Sequence, residues 1–404
     1  VWETIQKTAS LPFNTTRPFN WLRLERLEQW SLMLIALFLI GRLLPVLNFN
    51  SFGDPLFYNL PAGRDYLKVG GFQWFEHAEF YSQAGLSDIG LIYLHSLTSH
   101  PMLVQLAAQA FYYLTGTLFL LHILHKGLFS KWIPEKHSLW LAFSFIAMDT
   151  FRLESIVAKP DYWLAVLLCL IIVCLYEVLT EENQENRLIF WKLIMLFAGL
   201  CFSIKITSLF FLLPLCAGIL LFGARLVHWE SFSFWVTLAG ATGLSLLNPA
   251  KNQYIFESPT FPHANNIFYS PYWDQEATEG MRELFKLEQG NFADFLHIIF
   301  QFLLGHPVSL LMVVTALIWC KNYKNIGKFT TPIIHFLLIL SSSWIGGLIL
   351  WILFLNPHAY PRFIIGFVFL TLLLPVTIAI ITLRPIFLQN NQRLQYAISG
   401  IALM

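Results

Sequence analysis

Apolar runs separated by short polar breaks recur along the chain, over 31–47, 102–124, 139–149, 162–179, 188–204, 207–222, 232–247, 308–319, 333–355 and 363–383. Another begins at Tyr396. Runs of roughly 17–25 apolar residues match the length a helix needs to cross the hydrocarbon layer. The pattern predicts an all-α polytopic membrane protein with about 10–11 transmembrane helices. The run 292–304 ends at Gly305-His306-Pro307 and reads as a surface or re-entrant helix. Residues 1–30 are polar and aromatic and form a cytoplasmic or interfacial segment, with an interfacial helix expected over 19–30. Residues 31–404 then form one transmembrane module, without a repeat of 20–50 residues or a low-complexity tract.

Two polar stretches interrupt the pattern, 48–101 and 248–291. Connections this long are usually functional or disordered. The first is rich in aromatic residues (Phe52, Tyr58, Tyr66, Phe72, Phe75 and Phe80 among them), which argues for an ordered cap at the membrane surface. Composition fits the same picture. The chain is 56% hydrophobic and only 12% charged, and a soluble protein could not hide that much apolar surface. The formal net charge of +1 gives no footprint for nucleic acid. All five cysteines (Cys169, Cys174, Cys201, Cys216, Cys320) fall in apolar runs, so neither a disulfide nor a thiolate metal site is expected. No cleavable signal peptide precedes the first run. The chain starts at Val1 and stops a few residues into its last run, so a C-terminal part is expected to be missing.

Charge orients the spans. With the N-terminus in the cytoplasm, the inner segments collect Lys7, Arg17, Arg23 and Arg26, then Lys126, Lys131 and Lys136, then Arg187, Lys192 and Arg225. They also take Lys321, Lys324, Lys328, Arg384 and Arg393, which makes most of the 25 Lys and Arg, although the outer loops are longer. The positive-inside rule therefore puts both long loops on the extracytoplasmic side.

The residues that could carry chemistry lie on that outer side. Asp54 sits in Gly53-Asp54-Pro55 just past the first run. Asp before Pro is a helix start signal, and a carboxylate at the mouth of a bundle can also serve as a general base. Arg42 is embedded near the outer end of the first run, where an ionisable residue is either functional or snorkels to the headgroups. Lys159 and Asp161 flank Pro160, Lys205 separates two apolar runs, and Arg362 follows Pro361. Cations on the side where the charge rule disfavours them suggest a bound phosphate or pyrophosphate. The alternative for each singly is an ion pair or a headgroup contact. His122 and His125 read as interfacial residues at the inner end of their helix. Glu76-His77-Ala78-Glu79 is the one segment that could attract a divalent metal, but it does not put three ligands on one face, so neither a metal nor a cofactor is expected. The chain holds no Walker A sequence, no Gly-rich dinucleotide fingerprint and no HExxH.

The arrangement over roughly residues 25–385 resembles the GT-C superfamily of membrane glycosyltransferases, which includes protein O-mannosyltransferases and the lipid A aminoarabinose transferase. The resemblance lies in an acidic residue just after the first helix, opening an outer loop built from two surface helices. Here Asp54-Pro55-Leu56-Phe57-Tyr58 leads through a helix-like segment to Gly70-Gly71. Lys159-Pro160-Asp161, Ser203-Ile204-Lys205-Ile206-Thr207, the segment from Glu257 to Pro262 with Asn265, Asn266 and Tyr269, and Pro361-Arg362-Phe363 are similar to later landmarks. Many members carry a second acidic residue directly after the first, where this chain has Pro55.

The resemblance implies transfer of a sugar from a polyprenyl-phosphate donor to a lipid, glycan or protein acceptor on the outer face, with inversion. Asp54 would be the base. Arg42, Lys159, Asp161, Lys205 and Arg362 would form the donor-phosphate site. Arg64, Asp65, Trp74, Glu76, His77, His263 and Trp273 are candidates for the sugar or acceptor site. The implied partners are the prenyl-linked sugar, an acceptor of unknown identity and membrane lipids. The competing reading is a non-enzymatic membrane protein, either a transporter or a structural subunit of a membrane complex. A transporter should show internal repeats or paired broken helices, and Gly346-Gly347 is an interruption without an obvious counterpart.

Overall fold

The computed structural model describes residues 26–46, 60–73, 75, 88–98, 100–147, 160–260, 270–272 and 331–354. These are mostly helical, with no strand among the described residues. The helices are α1 (Arg26–Val46), α2 (Leu60–Val69), α3 (Asp88–Leu97), α4 (Pro101–His122), α5 (Glu135–Ala147), α6 (Pro160–Thr180), α7 (Gln184–Ile204), α8 (Leu209–Phe222), α9 (Phe232–Phe256) and α10 (Thr331–Phe354). Three are long and apolar enough to cross a membrane: Pro101–Lys131, Tyr162–Thr180 and Gln184–Ile204. Shorter apolar helices cover Leu32–Leu43, Ile206–Phe222 and Thr331–Gly347. The expected runs 292–304, 308–319 and 363–383, and the one beginning at Tyr396, lie outside the described residues.

Local sequence explains most boundaries. Pro101 opens α4, where its missing N–H costs nothing. The side chain of Asn183 caps α7 by accepting from the N–H groups of Glu185 (2.9 Å) and Asn186 (3.3 Å). A Schellman motif closes α2: Gly70 adopts φ +70°, its N–H reaches the Leu67 carbonyl (3.2 Å), and the Gly71 N–H reaches that of Tyr66 (3.1 Å). Two boundaries differ from the apolar pattern. α4 does not stop near 124 but widens into a π turn (Ile123–Leu128) and a 3-10 turn (Phe129–Lys131). α9 does not stop at 247 but runs through Pro249 to Phe256, so 248–256 belongs to a helix and not to the second loop. Pro249 and its polar neighbours read as a breaker, yet burial of Asn252, Ile255 and Phe256 holds the last turns in register. Glu257 then ends the helix in the left-handed region, at φ 57°.

Side-chain contacts give the helices an alternating direction. Tyr162 and Trp163 of α6 meet Gly116, Thr117 and Tyr112 of α4, while Tyr176 meets Trp132 beyond its far end, so α4 and α6 run the same way. α5 returns alongside α4, its Ser138 beside His125. α7 runs back along α6 after the short turn at 181–183. Gly199 touches Ala241 and Trp191 bonds the Leu226 carbonyl (2.8 Å), so α7 and α9 point together. Gly346 meets Pro214 and Gly218 meets Ser342, so α10 lies antiparallel to α8. These contacts make neighbouring helices of the described bundle run up and down.

One end of the bundle gathers Lys131–Glu177 (2.7 Å), Lys126–Glu135 (2.5 Å), His125 Nδ1 and Ser138 Oγ (2.6 Å), and an aromatic knot of Trp132, Tyr176 and Phe336. Small residues let the helices approach closely, as in membrane bundles. A Cβ at Gly116 would sit 2.7 Å from the Tyr162 ring, and one at Gly199 would sit 2.5 Å from the Ala241 carbonyl oxygen.

Candidate functional site

The opposite end of the bundle holds those predicted site residues that the structure describes. Arg42 lies in the last turns of α1, half-buried, where its charge acts on the Tyr113 phenol of α4. The Tyr113 hydroxyl donates to the Leu39 carbonyl (3.2 Å) and so ties α1 to α4 at this level. Pro160 and Asp161 start α6 at the same end.

α2 and α3 are the two short helices expected in the first loop, and they form a cap. They cross at Gly63, where a Cβ would meet Leu91 C and Ile92 N at 3.2 Å. α3 then packs on the first turns of α4 through buried Leu91, Val104 and Ala108. On α2, the Arg64 guanidinium donates from Nε to Asp65 Oδ1 (2.8 Å) and from Nη2 to Oδ2 (3.2 Å). Asp65 is buried and Arg64 exposed, so the Asp65 carboxylate is already engaged by its neighbour. Tyr66 is buried in the cap and packs against the rings of Phe72 and Phe75.

Lys205 is a single non-helical residue between two helical segments. It is extended (φ −153°, ψ 121°) between α7 and a 3-10 turn, Ile206–Ser208, that opens into α8. Its N–H reaches the Cys201 carbonyl and its own carbonyl accepts from Ser208 N–H, each at 3.0 Å. α7 and α8 then part company: α7 packs on α6 and α9, and α8 packs on α10. Non-helical backbone between apolar helices is tolerated where protein buries it or where it lines a polar cavity.

The break lies deep relative to the edges of the bundle. α6 and α7 are a tight hairpin of two 21-residue helices, so Lys205 is level with Pro160 and Asp161. Tyr162 is level with Gly116 of α4, and α4 begins at Pro101, about 22 Å further out at 1.5 Å per residue. The exposed apolar strip of α4 runs along that whole extension, from Met102 and Leu103 past Phe111 to Phe119. The floor carrying Lys205 and the start of α6 therefore sits well below the outer rim of α4 and its cap.

Asp54, Trp74, Glu76, His77, Lys159, His263, Trp273 and Arg362 lie outside the described residues, as does the side chain of Asp161. Among the described residues no group of three His, Cys, Asp or Glu could hold a metal ion. Sequence reasoning passed over the hydroxyls that flank Lys205, those of Ser203, Thr207 and Ser208. The signal was their concentration around the one charge in an otherwise apolar stretch from 193 to 222. No protein-family model, curated protein or solved structure matches the chain.

Proposed function

We propose that the protein is a membrane glycosyltransferase that takes a sugar from a polyprenyl-phosphate donor and passes it to a lipid, glycan or protein acceptor on the extracytoplasmic face. The observation that carries this reading is Lys205, set in extended backbone level with the start of α6 and inward of the outer end of α4. A cation at membrane depth suits a phosphate that arrives on a lipid. In the reaction, Asp54 accepts the proton of an acceptor hydroxyl or amine. The freed nucleophile bonds to the anomeric carbon from the face opposite the phosphate. The bond from that carbon to the phosphate oxygen breaks, its electron pair leaves with the polyprenyl phosphate, and the anomeric centre inverts. Arg42, Lys205 and Arg362 offset the charge that grows on the leaving group.

The test is turnover by purified protein in nanodiscs, supplied with prenyl-phosphate sugars and assayed by mass spectrometry for released prenyl phosphate and glycosylated product. Release that depends on acceptor and disappears in Asp54→Asn is the expected result. No turnover with any donor class, together with no binding of prenyl phosphate, would sink the reading. A second reading is favoured by the break itself, because discontinuous helices also build transporter sites. That reading predicts counterflow of a labelled solute in proteoliposomes, with Asp54→Asn leaving the flux unchanged.

A further inference from the structure

The break between α7 and α8 carries hydroxyls that have nothing to bond. Ser203 and Ser208 are buried, at 0% and 2% exposure. The oxygens of both, with Oγ1 of half-buried Thr207, are sealed from solvent without a hydrogen-bond partner. An unpaired buried hydroxyl is destabilising, and natural interiors leave few of them. A fourth such atom is Asn248 Oδ1 on α9. The Gly199–Ala241 contact relates the two clusters. Ser203 lies four residues beyond Gly199 and Asn248 seven beyond Ala241, so helical spacing returns both to the α7–α9 interface at the level of the break.

Lys205 decides what kind of ligand would complete these groups. Its ammonium opposes a metal or alkali cation and favours an anion. The helical segment that starts at Ile206 adds outward-pointing backbone N–H groups and the positive end of its dipole. Hydroxyls can turn to donate to anion oxygens, whereas Asn248 Oδ1 can only accept. We propose that Ser203, Thr207 and Ser208 are phosphate-binding residues. With Lys205 they cradle a lipid-borne phosphate, while Asn248 accepts from a hydroxyl on the group attached to that phosphate. The depth of the break below the rim of α4 favours a phosphate delivered sideways on an apolar chain over one delivered from water. This inference rests on the glycosyltransferase reading and adds to its Lys205 the donor-headgroup residues Ser203, Thr207, Ser208 and Asn248.

The test uses the whole protein in nanodiscs of zwitterionic lipid, with farnesyl phosphate, farnesol and inorganic phosphate as probes. Thermal unfolding and displacement of a fluorescent prenyl phosphate are the readouts. Wild type should be stabilised by farnesyl phosphate and not by farnesol or by inorganic phosphate at the same concentration. Thr207→Val and Ser208→Ala should each weaken farnesyl phosphate at least about tenfold, the size of one charge-assisted hydrogen bond. Their ligand-free unfolding temperature should hold or rise, because an unpaired polar group has been removed, which a merely structural role would not produce. Unchanged farnesyl phosphate affinity in the Ser203→Ala/Thr207→Val/Ser208→Ala triple variant overturns the inference and leaves the transferase reading standing. An equal response to inorganic phosphate overturns the lipid-borne assignment. No binding of farnesyl phosphate by wild type overturns the transferase reading and the inference with it.

Discussion

Gly199→Ala is the sharpest probe of the register that sets the candidate site. The added Cβ would lie 2.5 Å from the Ala241 carbonyl oxygen, 3.1 Å from its carbon and 3.2 Å from its Cα. All three are backbone atoms, so no side-chain rotation relieves the clash. Ordinary contact begins near 3.4 Å, so α7 and α9 must part by about 0.9 Å along that direction. A gap of that size forfeits roughly a quarter to a half of the attraction between the facing atoms. Overpacked interiors lose about 1–3 kcal/mol. Ala is a better helix former than Gly by about 1 kcal/mol, which offsets part of this. The net expectation is a loss of about 1–2 kcal/mol, read as a lower midpoint in denaturant-induced unfolding in mixed micelles. Gly240→Ala on α9 is the control, since its Cβ would meet nothing within 4 Å. It should be neutral or stabilising. If Gly199→Ala unfolds at the same midpoint as Gly240→Ala, then α7 and α9 do not touch at this point, and the alignment of Ser203 with Asn248 fails too.

Four further outcomes follow. Gly218→Ala should destabilise through a Cβ 2.5 Å from Ser342 Oγ, and Ser342→Ala should recover much of the loss, because there the obstacle is a side chain; double-mutant unfolding measures the rescue. Asp54→Asn should keep its unfolding temperature and lose turnover, since Asn caps a helix about as well as Asp but cannot take the proton; near wild-type turnover would rule out the base. Lys205→Gln should weaken prenyl-phosphate binding strongly and Lys205→Arg less so; if Gln changes affinity by less than about twofold, Lys205 is a headgroup anchor. In a background with Cys216 replaced by Ala, the exposed sites Lys68→Cys and Glu257→Cys should react with an impermeant thiol reagent in intact cells, and Glu182→Cys only after permeabilisation; the opposite pattern would invert the topology.

The sequence was most informative where one physical requirement dominates. Apolar run length located the described helices, whose alternating directions follow from contacts running from Tyr162 on Gly116 to Gly346 on Pro214. Order in the first loop was legible from its aromatic content, while its two short helices were expected only from the resemblance. Lys205 stood out as a charge in an apolar stretch. Other features depend on partners distant in the chain. The close approaches at Gly116 and Gly199 appear only when Tyr162 and Ala241 arrive. Pro249 looked like a stop because local propensity opposes the helix that tertiary burial of Ile255 and Phe256 maintains. Of the charges expected to form the donor-phosphate site, Arg42 and Lys205 fall among the described residues. The site's hydroxyl component was missed because serine and threonine are common in apolar helices and only burial without a partner distinguishes these.

The pairing of α8 with α10 has a consequence for how the chain is made. α8 presents Pro214 and Gly218 to a helix that begins at Thr331, 109 residues after α8 ends at Phe222. At about 5–20 residues per second, ribosomes take roughly 5–20 s to supply that partner. Meanwhile α6, α7 and α9 are already synthesised and can pack on one another. If the bundle is assembled in a membrane, α8 would then wait in lipid for its partner, its small-residue face open to any passing helix. A nascent chain stalled before residue 331 should crosslink from that face to membrane insertases, and one released after 354 should not.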